Sequence, residues 1–242
     1  MRCYEVKVKK GISVSRLENV DYALNPYIGC SHKCLYCYSP YVIKKDPNLF
    51  WENIGVKINL PLILQSEIKK IFGRIFIGSV TDPYQPCESK YLITRHALEI
   101  LIKNKKSFTI LTKSNLILRD NDLFETYPNA EVGLTINTLD ENKKRILEIN
   151  SPPPNTLIEV LGKLKARKYV MIAPVYNNIE NELEEMLEIF LKNGVEYVLV
   201  DKFRYRIGMP RDINKYFLNE NKIKEIVKKI STKVELPIYL SF

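Results

Sequence analysis

The sequence lacks the apolar segments that would place a protein in a membrane. No apolar run approaches the roughly 20 residues that cross a bilayer. The opening stretch MRCYEVKVKKG has no apolar core of the kind found in signal peptides. These absences argue against the membrane-spanning classes, and they predict a cytoplasmic location and no membrane partner.

Cysteine and low-complexity sequence are also scarce. Only five cysteines occur in 242 residues, an odd number that does not suggest a secreted disulfide framework. No linker divides the chain, since the one proline cluster, NSPPPN, is short enough to be a turn before a helix. A single domain is therefore predicted over residues 1–242, with residues 1–24 as an N-terminal extension and residues 202–242 as a basic segment packed on it.

Acidic residues are fewer than basic ones, and the formal net charge is +9. Much of the excess lies in residues 202–233, which hold ten Lys and Arg against three Asp and Glu. A basic surface suits phosphate-bearing partners, because Lys and Arg release the counterions condensed on a nucleic acid. A merely solvated basic face explains the same composition, so both interpretations stay open.

What the sequence does contain is a repeated order of short apolar strands and amphipathic helices such as TRHALEILIKN. This alternation predicts parallel strands joined by right-handed crossovers. About six units are present, fewer than the eight of a closed barrel. The fold class is therefore α/β, a partial (β/α)6 barrel of mainly parallel strands. The predicted strands are NPYIG (25–29), RIFIGS (74–79), FTILT (108–112), EVGLTI (131–136), YVMIA (169–173) and VEYVLV (195–200).

Polar clusters follow five of these strands. In parallel α/β sheets the carboxyl ends of the strands meet at one edge, where chemistry gathers. A hydrophobic core does not need polar residues repeated along one edge of the sheet. This edge is therefore predicted to be the functional site. The clusters are CSHKC, TDPYQP, TKS, TINT and DKFRYR.

Three of the five cysteines lie within eight residues, at Cys30, Cys34 and Cys37 in the stretch NPYIGCSHKCLYCYSPY. A 4Fe–4S cluster takes one thiolate per iron. Three cysteines would hold three of its irons and leave the fourth open for a substrate or a cofactor.

A structural zinc ion is the alternative. Zinc takes four ligands, usually from paired cysteines two to four residues apart. Cys3 and Cys87 are isolated and form no second pair. His32 lies between two of the clustered cysteines, which is a poor spacing for joining them on one ion.

The order of motifs resembles the radical S-adenosylmethionine (SAM) superfamily. The spacing Cys-x-x-x-Cys-x-x-Cys, with Tyr36 just before the last cysteine, carries the first resemblance. Further motifs narrow it to the spore-photoproduct-lyase-like branch, whose members are often called DNA repair photolyases. The resemblance covers the chain from about Asn25 to Val200. The motifs are NPYIGCSHKCLYCY, VKINLP, TDPYQPCE, LTKSNLILRDNDL and EVGLTINTLDE.

The resemblance implies one 4Fe–4S cluster on Cys30, Cys34 and Cys37, with SAM chelating the fourth iron. One electron from a reduced donor of the ferredoxin or flavodoxin type would cleave SAM. The resulting 5′-deoxyadenosyl radical would abstract a hydrogen atom from a substrate. Because the cofactors carry this chemistry, the protein contributes binding, orientation and exclusion of competing reactions.

The resemblance also assigns cofactor contacts at the strand ends. Tyr36 would lie over the adenine, and its alternative is a core aromatic. Lys113 would be the counter-ion of the SAM carboxylate, and its alternative is a solvated loop lysine. Asp82 would line the site or form the turn before Pro83, or do both. The remaining cofactor-binding predictions are Ser79, Thr81, Thr135 and Asn137.

Two positions depart from the family pattern. Spore photoproduct lyase returns a hydrogen atom from a cysteine just after the second strand, where this chain has Ser79, and a serine cannot replace a thiol in that step. Family members also commonly carry an arginine in the proline-rich stretch that here contains Thr156 and Leu157. The lesion-repair reaction is therefore not implied.

The candidate substrate contacts are Tyr84, Arg204, Tyr205 and Arg206. Arginines interleaved with aromatics suit phosphates and bases, although an amphipathic edge with exposed charges looks the same. The predicted function is a radical SAM enzyme acting on an unidentified substrate. A nucleic acid, as for a lesion lyase, is placed ahead of a peptide or a metabolite. The alternative of another class is a zinc-stabilised, basic nucleic-acid-binding module without catalysis.

Overall fold

The computed structural model describes all 242 residues. The strands are β1 (Arg2–Val6), β2 (Ile12–Val14), β3 (Tyr22–Leu24), β4 (Tyr27–Ile28), β5 (Asn53–Lys57), β6 (Ile75–Ile77), β7 (Phe108–Thr112), β8 (Ala130–Thr135), β9 (Arg167–Ile172), β10 (Tyr197–Val200) and β11 (Ile238–Leu240). The helices are α1 (Ser39–Val42), α2 (Pro47–Glu52), α3 (Leu60–Glu67), α4 (Glu88–Tyr91), α5 (Ile93–Lys103), α6 (Asn121–Glu125), α7 (Glu141–Leu147), α8 (Pro154–Lys163), α9 (Leu183–Lys192) and α10 (Glu220–Ile230).

Eight strands form the main sheet, in the order β11-β10-β9-β8-β7-β6-β3-β2. Every neighbouring pair is parallel except β2 with β3. All six residues of the central strand β8 are buried, which is typical of a parallel strand covered on both faces. This mixed α/β fold with a mostly parallel sheet confirms the predicted fold class.

The main sheet contains seven parallel strands, one more than the six units counted from the sequence. The additional strand is β11, which pairs with β10 and follows α10. Its sequence, IYL, is too short to give a clear periodic signal. The strand forms because the sheet edge offers free hydrogen-bonding groups, which local sequence does not reveal.

The prediction that NPYIG is the first strand of the barrel is wrong. The first parallel strand is β3, which pairs with β6 and lies inside residues 1–24. Tyr27 and Ile28 form β4 instead, which pairs antiparallel with β5 in a separate sheet of order β1-β5-β4. Pro26 separates the two strands, because proline has no N–H to continue a ladder.

The C-terminal segment is part of the main hydrophobic core. Helix α10 buries Ile223, Val227 and Ile230 in that core, and its lysines lie on the outer face. No helix of the chain is both long enough and apolar enough to cross a bilayer.

A disulfide joins Cys3 of β1 to Cys87, the residue before α4, with Cα atoms 6.3 Å apart. The interpretation of these two as isolated cysteines is therefore wrong. They are 84 residues apart in sequence, and only the folded chain brings β1 against the core position of Cys87.

Candidate active site

The cysteine loop, residues 30–37, follows β4 and is fixed on two sides. On one side the N–H of Cys30 donates to the carbonyl of Phe50 in α2, at 3.1 Å. On the other side Leu35 N–H donates to the carbonyl of Leu147, at the end of α7. Gly29 enters the loop at φ +98°, and a Cβ there would lie 2.6 Å from the Phe50 carbonyl oxygen. Glycine is therefore required for the close approach of the loop to α2.

All three cysteines of the loop are free thiols, and Cys34 is buried. Burial raises the pKa of Cys30 well above its usual value, and the charges of Asp82, Cys34 and Cys37 raise it further. Burial likewise raises the pKa of Cys34 to about 12, against the opposing charge of Lys113. In the protein alone, no group of three His, Cys, Asp or Glu side chains is arranged to hold a metal ion.

Asp82 ties the segment after β6 to the end of β7. Its carboxylate accepts hydrogen bonds from Thr112 Oγ1 at 2.6 Å and from the N–H of Lys113 at 2.9 Å. It also accepts a hydrogen bond from the N–H of Tyr84, two residues later, which is the contact of a turn-forming aspartate. His32 Nε2 lies 3.1 Å from it, within ion-pair range but without the angle of a hydrogen bond. Asp82 thus forms the turn and also connects two strand ends with the cysteine loop.

Burial tends to raise the pKa of Asp82, but His32 and the donated hydrogen bonds outweigh it and lower the pKa below its usual value. The carboxylate is therefore held in its charged form.

Ser79 and Thr81, which follow β6, bind the chain on either side of β4. Thr81 Oγ1 donates to the carbonyl of Gly29 at 2.5 Å, and Gln85 Nε2 donates to that carbonyl and to Thr81 Oγ1. Ser79 Oγ accepts from Asn25 Nδ2 at 3.0 Å. These side chains brace the start of the cysteine loop. Gln85 was not predicted, because an amide inside a turn motif carries no sequence signal of its own.

Lys113 lies at the end of β7 with its ammonium 5.7 Å from the centre of the Tyr36 ring. It forms no ion pair with any residue of the chain. Burial tends to lower its pKa, but the charges of Cys34, Glu148 and Asp82 raise it above the usual value. The structure thus places a fixed positive charge beside the cysteine loop, with no carboxylate in contact with it. This position differs from that of a solvated loop lysine.

Tyr36 and Asn137 meet at Glu148, a buried carboxylate that sequence reasoning missed. Tyr36 Oη donates to Glu148, and Asn137 Nδ2 donates to Glu148 Oε1 at 3.0 Å. Lys144, one turn earlier on α7, forms an ion pair with the same carboxylate, and both partners are almost fully buried. Burial tends to raise the pKa of Glu148, but Lys144 and Lys113 lower it to about 2. The carboxylate is therefore charged at neutral pH.

Asn137 uses both ends of its amide inside the protein, since its Oδ1 accepts from the N–H of Ala173 at 2.8 Å. Thr135, the last residue of β8, is buried as well. Tyr36 packs edge-on against Tyr176 and Phe217 in a small aromatic cluster. The alternative interpretation of Tyr36 as a core aromatic therefore has structural support on that side, while Lys113 faces its ring.

The predicted substrate residues do not converge. Tyr84 is fully buried and donates to Asp120 at 3.0 Å, so it lies in the core and not at an open surface. Arg204 is occupied by Asp201 and by the carbonyl of Ser241, and Tyr205 Oη donates to the carbonyl of Met209. Arg206 is exposed and forms no ion pair.

Comparison with known proteins adds three findings. The profile of the Radical SAM superfamily matches residues 24–190. An uncharacterized protein of Methanocaldococcus jannaschii is 37% identical over 181 residues, which are 71% of this chain and 66% of that protein. A protein of Acidianus two-tailed virus is 29% identical over 206 residues, which are 76% of this chain and 68% of the viral protein. The chain thus spans about two thirds of the length of these relatives.

Solved structures share the fold. A spore photoproduct lyase variant superposes with a TM-score of 0.77 at 14% identity, covering 99% of this chain and 82% of the lyase. A lyase structure with bound AdoMet and dinucleoside spore photoproduct gives a TM-score of 0.74 at 13% identity, with 99% and 82% coverage. Streptococcus suis SuiB bound to S-adenosylmethionine gives 0.67 at 13% identity, with 91% and 50% coverage.

Proposed function

The chain belongs to the radical SAM superfamily, and on that premise we propose that it uses one 4Fe–4S cluster to cleave SAM and abstract hydrogen from a substrate. The observation that carries the proposal is the position of Lys113. Three free thiols occupy one loop, and the ammonium beside them has no carboxylate partner. The charge of Lys113 is therefore available to an anionic group of a bound cofactor, such as the SAM carboxylate.

The side chains present fit the two cofactors. Cys30, Cys34 and Cys37 would hold the cluster, because each thiolate binds a different iron and the three sulfurs need not converge on one ion. When bound, the cluster and SAM supply a 5′-deoxyadenosyl radical for hydrogen abstraction. Lys113 would pair with the SAM carboxylate through a charge-assisted contact.

Other residues hold the site together. Glu148 fixes the hydroxyl of Tyr36, and Asn137 fixes both, so the ring of Tyr36 stays beside the ammonium of Lys113. Thr81 and Asp82 connect the cysteine loop with the ends of β6 and β7. We assign Asn137 and Asp82 positioning roles, because their polar atoms are occupied by protein partners.

The test is anaerobic purification with cluster reconstitution, followed by incubation with SAM and dithionite. The expected product is 5′-deoxyadenosine, formed in proportion to protein. Stoichiometric zinc without iron, or a reconstituted cluster that forms no 5′-deoxyadenosine with any reductant, would refute the proposal.

Lys113→Ala is expected to weaken SAM binding while the cluster still assembles, because the charge serves the carboxylate and not iron. Losing a hydrogen bond to a charged group costs about 1.5–3 kcal/mol, so affinity should fall by about ten- to a hundredfold. The measurement is equilibrium titration of reconstituted protein with SAM. Lys103→Ala, an exposed lysine on α5, is the control and should bind like the wild type. Equal affinities for both variants would contradict the role of Lys113.

For the substrate, we place a nucleic acid first and a peptide or a metabolite second. Support comes from the net charge of +9 and from the lyase fold, of which three structures hold a dinucleoside spore photoproduct. Ser79 stands where the lyase has its cysteine, so the repair step of the lyase is not part of the proposal.

Arg206→Ala should flatten the salt dependence of duplex DNA binding by about 0.9 in the log–log slope, the contribution of one neutralised phosphate. Arg204→Ala is the matched control, because Asp201 and the Ser241 carbonyl already occupy that guanidinium. Binding is measured by fluorescence anisotropy between about 50 and 200 mM salt. If Arg206→Ala leaves the slope unchanged, or if no DNA binding is detected at low salt, a peptide or a metabolite becomes the favoured substrate class.

A further inference from the structure

A basic groove lies on the small sheet, outside the residues proposed to contact cofactors. It measures about 610 Å³. Its cations are Arg2 of β1 and Lys44 and Lys45, which precede α2. None of the three forms an ion pair with another residue. The other lining residues are Tyr4, Asp46, Leu49 and Asn53.

The only acidic residue of the groove is already occupied. Asp46 caps α2 by accepting a hydrogen bond from the N–H of Leu49 at 3.0 Å. The side chain of Leu49 is 58% exposed and adds an apolar contact to the same groove as the three cations. Protein interfaces combine an apolar centre with a polar rim, whereas a phosphate backbone needs only the cations.

The groove lies one residue from the cysteine loop. Leu49 lines it, and the carbonyl of the next residue, Phe50, accepts the hydrogen bond from the N–H of Cys30. The disulfide from Cys3, between Arg2 and Tyr4, also ties this strand to the segment that holds Thr81 and Gln85. The groove is therefore rigidly connected to the loop proposed to hold the cluster.

We infer that this groove is the docking surface for a small acidic one-electron carrier protein of the ferredoxin or flavodoxin class. The inference rests on the proposed function, which needs a reductant. On docking, the carrier loses one electron and the cluster gains it, with no bond to the protein formed or broken. Electron-transfer encounters use small interfaces, and charge complementarity sets their association rate, so three unpaired cations suit this partner.

The test compares two triple variants with the same change of charge. The groove variant is Arg2→Glu, Lys44→Glu, Lys45→Glu. The control variant is Lys192→Glu, Lys228→Glu, Lys229→Glu, which changes exposed lysines of α9 and α10. Formation of 5′-deoxyadenosine is measured with reduced flavodoxin and, separately, with dithionite, which needs no docking surface.

With flavodoxin, the groove variant should lose about tenfold or more in rate at low salt, while the control keeps the wild-type rate. With dithionite, all three proteins should react alike. A second readout, titration of cluster-free protein with oxidised flavodoxin, should show the same loss of affinity in the groove variant alone.

The outcomes separate the two proposals. If dithionite produces no 5′-deoxyadenosine in the wild type, the proposed function fails. The titration of cluster-free protein with oxidised flavodoxin then still tests whether the groove is a docking surface. If the groove variant and the control bind flavodoxin equally, the docking surface is refuted. If the groove variant instead loses duplex DNA binding and keeps flavodoxin binding, the groove is a nucleic-acid site and the inference is overturned.

Discussion

Cys34→Ala is expected to hold no iron after anaerobic reconstitution, whereas the wild type holds about four irons and four sulfides per chain. The loss should be complete because only three thiols are available, and two cannot retain the cluster. Cys30→Ala and Cys37→Ala should behave in the same way. Iron and sulfide analysis, together with the broad absorbance that bleaches on reduction, measures the outcome.

Cys87→Ala is the control for that experiment. It breaks the disulfide to Cys3 but removes no thiol of the cysteine loop, so iron content should match the wild type. Its expected cost lies in stability instead, about 2–5 kcal/mol for the loss of a native disulfide. Loss of iron from Cys87→Ala with its fold intact would show that the ligand set is wrong.

Glu148→Gln is expected to destabilise the fold by about 3–5 kcal/mol, because it leaves the ammonium of Lys144 buried without a counter-charge. The neutral amide of glutamine is also a weaker acceptor than the carboxylate for the hydrogen bonds from Tyr36 and Asn137. The measurement is urea unfolding followed by circular dichroism on cluster-free protein.

The matched control is Glu141→Gln on the same helix. Glu141 pairs with Arg145 at the same i, i+4 spacing, but both side chains are more than half exposed. Exposed pairs contribute about 0–1 kcal/mol, so this variant should unfold near the wild-type midpoint. Similar losses in both variants would mean that the burial of Glu148 does not determine its contribution.

These two glutamates show where sequence reasoning stops. Each forms an i, i+4 pair with a basic residue of α7. In the sequence both look like surface pairs of a solvated helix. Only the packing of the cysteine loop against residues 147–150 buries Glu148 and turns it into the acceptor for Tyr36, 112 residues away.

The cysteine motif and the order of strands and helices could be predicted, because both are local patterns. The spacing of three thiols within eight residues indicates a 4Fe–4S cluster site. Short runs of β-branched and apolar residues indicate buried strands. The same patterns led to the wrong sheet for NPYIG. Its two-residue strand β4 pairs with β5 in the small sheet, and so short a strand carries no sequence signal for its partner.

By itself, the sequence determined the α/β class, the family and the three cysteines proposed to hold the cluster. Only the tertiary structure decided that Cys3 and Cys87 are joined, that Tyr84 is a core residue and that Arg206, and not Arg204, is free. It also placed Arg2 beside Lys44 and Lys45 in one groove. The physical reason is distance along the chain: local conformation follows from neighbouring residues, whereas burial and pairing depend on which remote segments the sheet brings together.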